Sequence, residues 1–210
     1  MKNNRYKLGG LKTAVIGLVV IALDQLALEA VRMFRTWNLA EFGYMGLLLL
    51  SWFLILMGTN KIKKYHPAFA RTMICAAVMM AVVFIEAMMA YGNINNNMGD
   101  QAFISFNVML MNYITIIGMF YTYYRLLQGA ASLARRNGSE KIAVKCDGRG
   151  KKSFVIIMIC FILIPISGMF DPNIEYAATG VMGLIVLAAQ LRLCMLMLRA
   201  YDKVYGKEVR

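Results

Sequence analysis

The chain has 210 residues, 60% of them hydrophobic and 16% charged, with 23 basic against 11 acidic residues and a net charge of +12. About 126 apolar residues at roughly 20 per crossing correspond to about six membrane spans, with little left for a water-soluble core. This composition excludes an ordinary globular domain, a disordered chain, a nucleic-acid-binding domain and a disulfide-stapled secreted module.

The N-terminal segment carries Lys2, Arg5, Lys7 and Lys12 and no acid. It leads into the first apolar stretch, 13–36. That stretch is too long for a signal-peptide core, contains Asp24, and is followed by no small-x-small cleavage site, so it reads as a retained span. Asp24 lies 12 residues after Lys12 and 13 before Trp37, about 18–20 Å from either boundary at ~1.5 Å per residue. At ~100° per residue Asp24, Gln25, Glu29, Arg32, Arg35 and Thr36 share an arc of about 140°. The polar stripe occupies only the half of the helix beyond Asp24; below it the same face continues with Gly17 and Ile21. Glu29 and Arg32, three apart, are spaced to pair. Charge inside a bilayer is costly and faces a protein interior or a watery cavity, so the stripe predicts one wall of a polar crevice.

The second stretch, 43–58, ends in a connection with Lys61, Lys63, Lys64 and Arg71 and no acid. The only histidine, His66, lies here, nine residues before Cys75, and the two residue types admit a catalytic Cys/His pair as an alternative to a surface-loop histidine. The third stretch, 72–91, holds Glu86 about five residues from its end, on a face with Met79 and Asn93. A polar run containing Asn93, Asn95, Asn96 and Asn97 closes it. The fourth, 103–124, has Asn112 near its middle and Ser105 seven residues earlier on the same face.

The longest connection, 125–152, carries Arg125, Arg135, Arg136, Lys141, Lys145, Arg149, Lys151 and Lys152 against Glu140 and Asp147. Its first part, Leu126 to Ala134, is suited to extend the fourth helix. Its second part, with Asn137-Gly138 and Gly148-Arg149-Gly150, reads as mobile loop. The fifth stretch, 153–170, contains Pro165-Ile166-Ser167-Gly168, which predicts a kink. Asp171-Pro172-Asn173 is a turn signal. The sixth stretch, 176–198, holds Gln190 and, closer to its end, Arg192, placed to snorkel. The C-terminal segment has Arg199, Lys203, Lys207 and Arg210 against Asp202 and Glu208.

If all six stretches span, 20 of the 23 basic residues fall on one side, and the positive-inside rule puts that side and both termini in the cytoplasm. Trp37, Tyr44 and Tyr91 then fall at the outer boundary, and Tyr121, Tyr123 and Tyr124 at the inner one, where amphipathic rings are favoured. Cys75, Cys146, Cys160 and Cys194 form no C-x-x-C pair and no metal-ligand spacing, and read as reduced structural thiols. Asn137-Gly138-Ser139 matches a glycosylation sequon but falls on the cytoplasmic side. No H-E-x-x-H, G-x-S-x-G or phosphate-binding glycine loop is present, so no catalytic residue is assigned.

The six-span size is similar to that of the substrate-binding components of vitamin-uptake transporters and the membrane sensor modules of some bacterial kinases. The likeness is one of size and topology. The first helix lacks an Ala-x-x-x-Ala pattern, no kinase-like segment follows the last span, and no residue is carried over from either group.

The sequence thus predicts an all-α membrane protein: a single transmembrane domain over 1–210, built as a six-helix bundle of three hairpins. Its expected place is the cell membrane, of prokaryotic type. The expected function is binding and moving a small solute or ion, such as a cation, through an outward-facing polar crevice. The lining would be Asp24, Gln25, Glu29, Arg32, Glu86, Asn112 and Gln190, with no cofactor. The lipid bilayer is the expected surrounding, and nucleic acid is not an expected partner. The alternatives are a non-transporting partner (a sensor, an immunity or effector protein, or an assembly factor) acting on a membrane or cytoplasmic protein through its basic surface, and a small integral membrane enzyme.

Overall fold

A computed structural model describes residues 5–34, 37–96, 101–168 and 172–208. Six helices follow one another: α1 (Arg5–Phe34), α2 (Trp37–Ile62), α3 (Pro67–Asn96), α4 (Gln101–Arg136), α5 (Glu140–Gly168) and α6 (Pro172–Glu208). As far as the described residues go, each apolar stretch read from the sequence lies within one helix. Three segments among them are long and apolar enough to cross a membrane: Met45–Ile62, Pro67–Met89 and Gly180–Asp202. The protein is all-helical and membrane-embedded.

Helices α1, α2, α3, α4 and α6 close a ring, each packed on two ring neighbours, and α5 packs on α4 and α6. The core is built from residues repeating at three and four positions. On α1, Gly10, Ala14, Gly17, Ile21 and Asp24 are buried; on α2, Leu48, Ser51, Ile55, Gly58 and Ile62. This is the 3.5-residue period of left-handed helix packing. Gly10 and Gly58 lie backbone against backbone, and Gly17 lies against the Ser51 carbonyl and Ile55. A Cβ at any of these three glycines would run into the neighbouring helix, so glycine is required for the approach. Ser51, Thr59 and Thr72 turn their hydroxyls back onto the carbonyls of Leu47, Ile55 and Ala68, four residues earlier, at 2.7–2.9 Å. That satisfies a hydroxyl without a partner helix.

The expected mobile loop between the fourth and fifth stretches is absent. α4 continues to Arg136, Asn137-Gly138-Ser139 make a tight turn with Gly138 at φ 66°, and α5 begins at Glu140 and runs through Gly148-Arg149-Gly150 to Gly168. The reason is a buried stripe that crosses the supposed boundary: Ala143, Cys146, Gly150, Ser153, Ile157 and Cys160, again at alternating spacings of three and four. Gly150 is a contact position under Leu127 of α4, not a loop residue. α5 passes Pro165 without a break. Arg135, at the end of α4, reaches across the turn to Glu140 at 3.7 Å and to Asp147, which locks the hairpin.

Tyr123 also departs from expectation. It is buried at 1% exposure, not at a boundary, and its hydroxyl donates to the Leu18 carbonyl of α1 at 3.2 Å, tying α4 to α1 across the ring. Tyr121 and Tyr124 do face outward.

Candidate functional site

The register of the α1–α2 seam positions Asp24. Seven residues return the helix to within about 20° of the same face, so Asp24 follows Gly10 and Gly17 on the side that meets α2. Asp24 is 4% exposed, and its Oδ2 has no hydrogen-bond partner among the described residues.

Other buried polar groups lie at similar depth. Taking the Tyr123–Leu18 bond as a reference level, Asp24 is six residues further along α1, about 9 Å. Met119 is four residues from Tyr123 on α4, about 6 Å in the same direction, and Thr115 eight residues, about 12 Å. Gln190 of α6 is 1% exposed and points its Nε2 at the Met119 sulfur, 3.6 Å away, so it shares that level. Thr115 Oγ1 is buried without a partner among the described residues; Trp52 Nε1 on α2 is likewise unpartnered among them, but about 12 Å from the level of Asp24, since Gly17 lies against Ser51. Each such group costs about 1–3 kcal/mol when it exchanges water for apolar surroundings. Several in one interior are uncommon in a region selected for stability alone.

Of the other expected lining residues, Glu86 is half-buried on α3. Gln25, Glu29 and Arg32 lie on α1 and Asn112 on α4, and their side chains are outside the described residues. Arg192 is exposed on α6, in keeping with a snorkelling position.

The Cys/His alternative does not assemble. His66 sits immediately before α3, with Pro67 at the first helical position, and its Nδ1 accepts the Ala68 amide at 3.1 Å. It is the N-cap of α3. Burial, with the nearby Arg136 guanidinium in second place, holds its pKa below the ordinary 6.5 and keeps the ring neutral. Cys75 lies nine residues on, about 13.5 Å along the helix, where its thiol faces the Gly118 carbonyl and the Thr122 hydroxyl of α4. Cys146 is fully buried; burial first, then Asp147, push its thiol up to about 11 against the opposing pull of Arg135. All four cysteines are free.

The sequence reading missed an exposed stripe on α5. Lys141, Lys145, Arg149 and Lys152 follow at intervals of four, four and three on its open face, and Ile156, Ile159 and Leu163 continue the same line. The periodicity was visible, but it becomes meaningful only once the segment is known to be helix.

No family model, no curated protein sequence and no solved structure matches the chain.

Proposed function

We propose that this chain is a six-span bundle of a prokaryotic cell membrane, with both termini cytoplasmic, that binds and moves a small cation or cation-linked solute. The site is a crevice opening to the outside beside α1, with Asp24 as its ion- or proton-linked carboxylate. The observation that carries this reading is the buried Asp24 carboxylate with an oxygen unpartnered among the described residues. A buried carboxylate with an unpartnered oxygen is poor structural glue, because desolvation of its charge is costly. The seam below it supports the direction of opening. Gly10, Gly17 and Gly58 bring the backbones of α1 and α2 together on the basic side, which closes that half. Gln25, Glu29, Arg32, Glu86 and Asn112 belong to the opposite half, and Gln190 with Thr115 lies at the depth of the carboxylate.

The second reading, a partner protein acting through its basic surface, draws on the α5 stripe Lys141–Lys145–Arg149–Lys152. Two variants separate the readings. Asp24→Asn abolishes a solute-dependent phenotype of cells expressing the protein, while membrane insertion is unchanged. Neutralising Lys141, Lys145 and Arg149 leaves that phenotype intact. The reverse pattern favours the partner reading and removes the transport one.

A further inference from the structure

At the basic end, α4 and α5 flank a groove of about 470 Å³. Its walls come mainly from α4 (Tyr124, Leu127, Gln128) and α5 (Gly150, Lys151, Phe154), and the paired Arg135 and Asp147 line one end of it. The two helices are antiparallel, with Leu127 against Gly150 and Tyr124 against Phe154 at 6.3 Å between ring centroids. That register sets Arg125 of α4 and Lys151 of α5 at one level. The Arg125 guanidinium lies over the Tyr121 and Tyr124 rings at 5.1 and 5.7 Å and donates to Gln128 at 3.0 Å. Its Nε has no partner among the described residues. The acids of this hairpin, Glu140 and Asp147, are both engaged by Arg135, beyond the two cations. Lys151 therefore lines the groove, Arg125 borders it through the Gln128 and Tyr124 it touches, and the carboxylate that lines it, Asp147, is engaged by Arg135. From that level the exposed surface changes character within one turn: Lys151 and Lys152 give way to Val155, Ile156 and Ile159, all open to the surroundings. A groove with a cationic rim that runs into apolar surface matches an anionic amphiphile, and basic pockets between helices on the cytoplasmic side favour anionic headgroups.

We propose that this groove holds an anionic phospholipid of the inner leaflet. Its phosphodiester lies between Arg125 and Lys151, and an acyl chain lies over Phe154 and Val155. Arginine over tyrosine rings is already oriented, so its fork meets a phosphate with little further ordering. The inference rests on the six-span reading, which places this level at the inner boundary.

Native mass spectrometry of the detergent-purified protein, titrated with phosphatidylglycerol and with phosphatidylcholine, tests it. Wild type retains phosphatidylglycerol over phosphatidylcholine, and excess inorganic phosphate does not displace it. At about a fivefold effect per cation, Arg125→Gln with Lys151→Gln weakens phosphatidylglycerol retention about twenty-five-fold, and Lys151→Gln alone, an exposed position that leaves folding intact, about fivefold. Lys63→Gln with Lys64→Gln, on the other basic connection, leaves it unchanged. Unchanged retention in the Lys151→Gln protein, an equal loss in the Lys63/Lys64 variant, equal binding of phosphatidylcholine, or displacement by phosphate each overturns the proposal. Labelling of Gly138→Cys by an impermeant thiol reagent in intact cells reports on the six-span reading separately. Labelling from outside removes that reading; protected Gly138→Cys with unchanged lipid retention removes the groove alone.

Discussion

The same substitution, Gly→Ala, should have opposite signs at two helical glycines. At Gly58 a Cβ would meet the Gly10 carbonyl and, at 2.5 Å and 2.9 Å, the Ala14 amide nitrogen and Cβ. Two of those three atoms are backbone, so relief requires α1 and α2 to separate. Overpacking of this kind costs about 1–3 kcal/mol, and separation also loosens Gly17 against Ser51 and Ile55. Alanine recovers up to about 1 kcal/mol of helix propensity, leaving Gly58→Ala destabilised by about 1–2 kcal/mol net. Gly148, exposed on α5, has nothing within 4 Å of a Cβ, so only the propensity gain of about 0.5–1 kcal/mol applies there. Thermal unfolding followed by helical circular dichroism in one detergent reads both. At about 2–4 °C per kcal/mol for a chain of this size, Gly58→Ala lowers the midpoint by several degrees and Gly148→Ala raises it slightly. A stabilised Gly58→Ala would refute the close seam; a destabilised Gly148→Ala would refute the helical reading of 140–152.

Single cysteines at Asn95 and Asn173 react with an impermeant reagent in intact cells and one at Gly138 does not; labelling at Gly138 contradicts the orientation. His66 caps α3 only when neutral. Its folded-state pKa is below its ordinary 6.5, so the unfolded chain binds the proton more tightly. The cap's contribution is complete above 6.5 and is lost as pH falls through the lower folded value. The thermal midpoint of wild type therefore drops as pH falls below 6.5, relative to His66→Asn, which caps without titrating; parallel curves for the two proteins refute the capping role. Cys146, buried and held at about 11, stays unmodified by maleimide at neutral pH until the protein is unfolded; rapid labelling of the folded protein contradicts the packing of α5 on α4 and α6.

The helices were legible wherever the chain is continuously apolar, because such runs leave no alternative to a helix in hydrocarbon. The half of α5 over 140–152 was not. Its glycines and lysines have the composition of a loop, and the stripe Ala143, Cys146, Gly150, Ser153 is too weakly hydrophobic to stand out without the helix it packs on. Asp24 was conspicuous as a charge within an apolar stretch, but the face it shares was not. It shares a helix face with Gly10 and Gly17, and glycines announce close approach only when their partner, here Gly58, is known. Tyr123 was grouped with Tyr121 and Tyr124 because three aromatics in a row resemble a boundary; helical rotation turns one inward, onto Leu18. The cationic level of Arg125 and Lys151 depends on the register of two helices and could not be read from either alone.

The central claim is that Asp24 carries cation- or proton-linked movement, and the most direct test is flux in sealed vesicles. Purified protein is reconstituted into proteoliposomes, and current or internal pH is followed as monovalent cations or protons are offered from outside, for wild type and Asp24→Asn. Wild type gives a saturable flux, and Asp24→Asn, folded and inserted to the same extent, gives none. Equal flux from the two proteins would contradict the role assigned to Asp24.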